Sequence, residues 1–234
     1  MSSRNLQVII GDMDAESALY AAVIGSKPKS DGGPVDVKTS WDEIERSLPD
    51  KAISILKTYG AESNNCSAGQ LMSATLQIIS DLSFRRASGV EAERLIKRGI
   101  PVYRYVFDQG SPFPGPFRGQ AAHSLDLNYS FGSPRIFHSG AGVANPELEG
   151  KIQQNMQEKW IAFANGEVPW RVQSEDCYYA FGPDGFDGEI AKKEFEQRRK
   201  PERWAAFGGL GSEELIKFGI ACNKAFTELS GHRL

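Results

Sequence analysis

The sequence predicts an α/β layered fold. Three short runs read as strands: Leu6 to Ile10, apolar, β-branched and closed by Gly11; Pro101 to Phe107; and Cys177 to Phe181. Pro101 suits a strand's first residue, where a missing N–H costs nothing. The stretches between these runs carry helical spacing or helix-boundary residues, and strands separated by helices argue for a sheet with helices on its faces. Three strands are few for 234 residues, so the pattern reads as one edge of a larger sheet.

In order along the chain, Ala15 to Ile24 alternates too little for a strand and starts a helix. Lys27 to Lys38, rich in Gly, Pro, Ser and Asp, is a loop. Ser40 is placed to cap a helix from Trp41 to Ser47, with Glu43 at the capping-box position. Pro49 restarts a helix through Tyr59. Ala68 to Leu82 sets Leu71, Thr75, Ile78, Ile79 and Leu82 on one helical face. Val90 to Arg98 is another helix, ended by Gly99. A Gly/Pro-rich loop, Asp108 to Gly119, then leads to His123 and a short helix. Pro146 sits just inside a long helix running to Ala164. Helices from Ala191 to Phe207, interrupted by Pro201, and from Glu213 to Leu229 close the chain. No repeat, low-complexity tract or linker divides it, so residues 1–234 read as a single domain.

Composition excludes several functions. Hydrophobic residues make up 40% and charged residues 24%, and the net charge of −3 is spread through mixed signs. That balance favours neither nucleic acid nor an anionic membrane surface. No apolar run approaches the roughly 20 residues of a membrane helix, and the opening residues do not form a signal peptide. Localisation therefore stays open. Cys66, Cys177 and Cys222 lack CxxC spacing, and His123, His138 and His232 are scattered, so neither a metal site nor a disulfide framework is expected.

The most informative stretch runs from Ala121 to Gly132. His123 follows a strand and a flexible loop, and Leu125, Leu127, Tyr129 and Phe131 follow it. A general base must reach substrate with one ring nitrogen while an acid orients the other, and a loop after a strand permits both. By local pattern alone, a surface or helix-capping histidine fits as well. Upstream, Gly11-Asp12-Met13-Asp14-Ala15-Glu16-Ser17 forms an acidic turn after a strand, a pattern that also suits a helix N-terminus.

Together these stretches resemble the carboxylesterase/cholinesterase (type-B carboxylesterase) family. That family's histidine motif, H-G-x-E-[IL]-x-[FY]-V-F-G, is matched at His123, Leu127, Tyr129, Phe131 and Gly132. Asp126 replaces the usual Glu, and Ser124 the usual Gly. The turn resembles the family's G-x-N-x-D-E-G with Glu16 in register, while Ala15 and Ser17 depart from it and Asp12 and Asp14 are rival acids. Further similarities follow in order: Asp81 and Phe84 for a D-x-x-F helix end, with Ala87 where a proline is usual; Gly99 to Asp108 for the G-x-P-V-Y-x-Y-x-F strand; and Trp160, Phe163, Ala164, Gly166 and Pro169 for W-x-x-F-A-x-x-G-x-P.

The resemblance implies the C-terminal portion of an α/β-hydrolase sheet with flanking helices, with Glu16 and His123 as two members of a catalytic triad. It implies a serine esterase forming an acyl-enzyme on a small carboxylic ester, with no cofactor. In α/β-hydrolases the order is Ser, acid, His, with the serine in G-x-S-x-G. No such pentapeptide occurs here. Asn65-Cys66-Ser67-Ala68-Gly69 comes closest, but it follows the acid, and Ser67 reads as a helix cap. The chain is therefore expected to lack the family's N-terminal part and to be inactive alone, and to pair with that part or self-associate through a bared strand edge. The alternative the family offers is a non-catalytic interaction or adhesion module.

Overall fold

The computed structural model describes residues 6–17, 36–115, 117–132, 142–143 and 145–230. Most of the expected helix from Ala15 to Ile24 lies outside them, as do His138 and His232. In chain order the elements are β1 (Val8–Met13), α1 (Val37–Ser47), α2 (Ala52–Thr58), α3 (Ala68–Ser80), a π-helical turn (Asp81–Arg86) and α4 (Ala87–Lys97). Then follow β2 (Val102–Phe107), α5 (Leu125–Ser130), α6 (Pro146–Ala164), β3 (Cys177–Phe181), β4 (Asp187–Ala191), α7 (Lys192–Arg198), α8 (Pro201–Ala206) and α9 (Ser212–Ser230).

The described residues form two compact units. The first comprises residues 6–16 and 84–199 and is built on a mixed sheet of order β1-β2-β3-β4. β1 runs parallel to β2, from Val8 opposite Val102 to Met13 opposite Phe107. β2 runs parallel to β3, and β4 returns antiparallel. Alternation sends side chains to two faces. Val8, Ile10 and Val102 pack with Ala92 and Leu95 of α4. Tyr103, Tyr105, Phe107 and Phe181 pack with Leu125 and Tyr129 of α5 and Ile152 and Met156 of α6. The second unit, residues 17, 36–83 and 200–230, is helical, and its core joins Ile44, Ile55, Leu56, Leu71, Ile78, Phe218 and Phe226.

Four expectations are corrected. The first strand is not closed by Gly11; it runs on to Met13 because Gly11 has no side chain to meet the Tyr105 ring, which lies 2.1 Å from where a Cβ would be. The first described helix starts at Val37, inside the expected loop. Its N-cap is Asp36, whose carboxylate accepts from Thr39 N at 3.0 Å, while Ser40 is buried within the helix. The helix expected from Ala191 begins at Lys192, because Ala191 ends a fourth strand missed in the sequence. Its signal was Pro183-Asp184-Gly185, a turn tripeptide soon after the strand-prone run Cys177 to Phe181. The helix from Ala68 gives way to π geometry at Asp81 and re-emerges as α4.

Candidate functional site

β1 delivers its C-terminal end, Asp12 and Met13, to the edge of the sheet, and the next three residues turn back. The N–H of Ala15 donates to the carbonyl of Ala121 at 3.0 Å, and Ala15 pairs with Ala122 as a parallel bridge. The two bridged alanines immediately precede Glu16 and His123. Backbone pairing thus fixes both candidate residues one position downstream. Glu16 Oε2 lies 2.6 Å from His123 Nδ1, across 107 positions of sequence. Glu16 Oε1 accepts the Met13 N–H at 3.1 Å.

The Glu16 side chain is 7% exposed and that of His123 27%. Burial pushes the Glu16 carboxyl above its usual range, against the pull of the hydrogen bonds from His123 and the Met13 amide. With Nδ1 donating to a carboxylate, a neutral imidazole carries its lone pair on Nε2, the tautomer a general base requires. Phe84, in the π-helical turn, packs its ring on the imidazole at 5.1 Å between centroids. The residue after the histidine, Ser124, has φ of 63°. This left-handed conformation costs a non-glycine residue about 1–2 kcal/mol, a physical reason for glycine in the motif that Ser124 departs from.

The rival acids are elsewhere. Asp14 is exposed. Asp12 is buried and engaged by two guanidiniums, Arg104 Nη2 at 2.8 Å and Arg199 Nε at 2.6 Å. Burial alone would raise its carboxyl, but Arg199 and Arg104 hold it below the usual carboxylate range. Ser67 caps α3 in a capping box with Gln70, as its sequence position suggested. Cys66, Cys177 and Cys222 are free thiols. Among the described residues no group of three His, Cys, Asp or Glu side chains could hold a metal, and no helix is long and apolar enough to cross a membrane.

Sequence reasoning missed the support around the pair. The Tyr105 hydroxyl donates to Asp126 Oδ2 at 2.7 Å, bracing the helix that follows His123. Arg199 reaches Asp12 and also Asp108 Oδ1 at 2.6 Å, joining the ends of β1 and β2. Arg104, a charge inside an otherwise apolar strand, was a visible signal of a buried partner, but its spacing did not say which.

The model of the carboxylesterase family matches residues 1–207. None of the curated proteins matches. Among solved structures, a PNB esterase is 23% identical over 82% of this chain, with a TM-score of 0.51. A thermophilic PNB esterase is 20% identical over 83%, with a TM-score of 0.56. The chain spans 37% and 38% of the lengths of those two proteins. At such identity the likeness speaks to the fold, which is part of an α/β-hydrolase.

Proposed function

Since this chain belongs to the carboxylesterase family, we propose that it carries the acid and the base of a serine ester hydrolase, Glu16 and His123. The observation that carries the reading is the 2.6 Å contact between Glu16 Oε2 and His123 Nδ1, made by residues far apart in sequence. In that role Glu16 fixes the imidazole tautomer and stabilises the imidazolium. His123 takes the serine proton through Nε2 as the acyl-enzyme forms and returns a proton to the leaving alcohol. No cofactor enters the chemistry, and the substrate is a small carboxylic ester.

The nucleophile is not among these residues, because no G-x-S-x-G occurs in the sequence and Ser67 is committed to capping a helix. Both compact units are parts of one hydrolase domain on this reading. Among the described residues β1 ends the strand order; on this reading a segment bearing the nucleophile elbow pairs with that edge, and without it the edge favours self-association.

The chain alone is therefore expected to hydrolyse p-nitrophenyl esters no faster than buffer. Turnover that Ser67→Ala abolishes would make Ser67 the nucleophile. Joined to a carboxylesterase segment carrying the elbow and oxyanion donors, the chain should become active, and Glu16→Gln should then lower kcat by roughly 10⁴-fold, the scale seen when a triad acid loses its charge. Activity in that chimera that survives His123→Ala would overturn the assignment.

A further inference from the structure

A continuous line of hydrogen bonds runs from Arg199 into the Glu16–His123 pair through a single peptide group. Arg199 Nη2 donates to the carbonyl oxygen of Asp12 at 3.2 Å. The N–H of that same peptide, on Met13, donates to Glu16 Oε1 at 3.1 Å. The other oxygen of Glu16 meets His123 Nδ1 at 2.6 Å. We propose that Arg199 is a positioning residue for the acid and histidine, acting through the Asp12–Met13 peptide.

A peptide is planar, so holding its carbonyl also fixes the direction of its N–H. That N–H is aimed at the carboxylate that orients the histidine. A cation on the carbonyl side also polarises the amide, making the N–H a better donor to an anion. Arg199 can grip in this way because its guanidinium is itself pinned at two further points. Nε donates to Asp12 Oδ1 and Nη1 to Asp108 Oδ1, both at 2.6 Å, and the side chain is 4% exposed. A planar fork with three separately directed nitrogens does this, whereas a lysine ammonium is a point charge on a flexible stem. The hydrogen bonds of Arg198, next to it in the chain, go instead to Glu194, Asp108 and the carbonyl of Gly182. Arg198 is the natural control.

The inference rests on reading Glu16 and His123 as orienting acid and base, and its test examines the pair itself rather than ester turnover. A failure of the esterase reading would therefore leave the test's outcome intact. The full chain is prepared as wild type, Arg199→Met, Arg199→Lys and Arg198→Met, and followed by NMR. Slow exchange of the Val102 to Phe107 amides reports that each variant is folded. The expected result is that both Arg199 variants speed exchange of the Met13 amide roughly tenfold, as for local opening, and weaken the low-field Nδ1 proton signal of His123. Arg198→Met should leave both unchanged. If Arg199→Met fails to fold, Arg199→Lys, which keeps the charge, is read alone. A folded Arg199→Lys with wild-type Met13 exchange and an unchanged His123 proton would overturn the proposal. So would equal effects from Arg198→Met, since the general ion network would then be responsible.

Discussion

On one face of β2, Tyr103, Tyr105 and Phe107 are packed among rings. Trp160 stands edge-on to Tyr105 at 5.2 Å, Trp170 edge-on to Tyr103 at 5.9 Å, and Tyr129 lies 5.0 Å from Phe107. On the other face, Val102, Arg104 and Val106 meet aliphatic side chains, the stacked rings of Tyr178 and Phe195, and a buried ionic group that takes in Asp12, Arg199 and Asp108. Each face sends one tether toward the Glu16–His123 pair. The aromatic face offers the Tyr105 hydroxyl to Asp126, three residues after His123. The ionic face offers Arg199 to Asp12, four residues before Glu16. The contrast teaches that one strand can position two ends of a site by different physics. Ring packing fixes position through shape and ignores pH, whereas buried charge fixes it through counter-ions and follows their protonation.

The largest expected effect breaks the ionic side. Asp12→Ala leaves Arg104 and Arg199 buried without the carboxylate that both share, and removing one partner of a buried pair costs about 3–5 kcal/mol. Urea unfolding measures this. A loss below about 1 kcal/mol would mean that water already reaches these groups. The pH dependence has a definite sign. Asp12 is held below its ordinary value in the folded chain, so its contribution is present above about pH 4, the unfolded value. It disappears as pH falls through the folded value. The gap between wild type and Asp12→Ala should therefore narrow only in acid.

A smaller effect overpacks the aromatic side. At Gly11 an added methyl would fall 2.1 Å from the Tyr105 ring. Forcing a methyl into a packed core costs about 1–3 kcal/mol, so Gly11→Ala should lose stability in that range by thermal or urea unfolding. Placing the same change in a Tyr105→Leu background separates causes. If the methyl costs as much there, ring contact is not the reason, and the close approach of β1 to Tyr105 does not limit the packing of this face.

These two regions were unequally legible in the sequence. β2 and β3, buried along their whole length, announced themselves as runs poor in polar residues, and β1, half-buried over its first four residues, did so through β-branched Val8, Ile9 and Ile10. Glu16 and His123 were legible only through motif resemblance; each alone was compatible with a cap or a surface group. β4 was hidden because Asp187, Gly188 and Glu189 are poor strand formers whose place is set by pairing with β3. Arg199 was hidden for a deeper reason. It sits 187 residues from Asp12 in a run of exposed charges, and nothing local distinguishes it from Arg198 or Lys200. Long-range ion pairs leave no periodicity to read.

The smallest effect isolates the aromatic tether from the packing around it. Tyr105→Phe keeps the ring that fills the space over Gly11 and deletes only the hydroxyl that donates to Asp126. Asp126 is half-buried, so water can replace the lost donor, and the net cost should be about 1 kcal/mol rather than the larger value of a fully buried bond to a charged group. A double-mutant cycle with Asp126→Ala, which removes the acceptor, tests whether the bond is the cause, since coupling near zero would mean that hydroxyl and carboxylate do not interact in solution. The pH limb is opposite to that of Asp12. Burial, reinforced by the Asp126 carboxylate, raises the Tyr105 phenol well above its ordinary value. Its contribution is therefore complete below about pH 10, the unfolded value, and is lost as pH rises through the folded one. Wild type and Tyr105→Phe should thus differ by a constant amount from neutral pH to about pH 9, the range in which the Asp12 variant also shows its full deficit. A difference that shrinks between pH 7 and 9 would show the phenol ionising early, and a phenolate, which cannot donate and repels the Asp126 carboxylate, could not brace the helix beside His123.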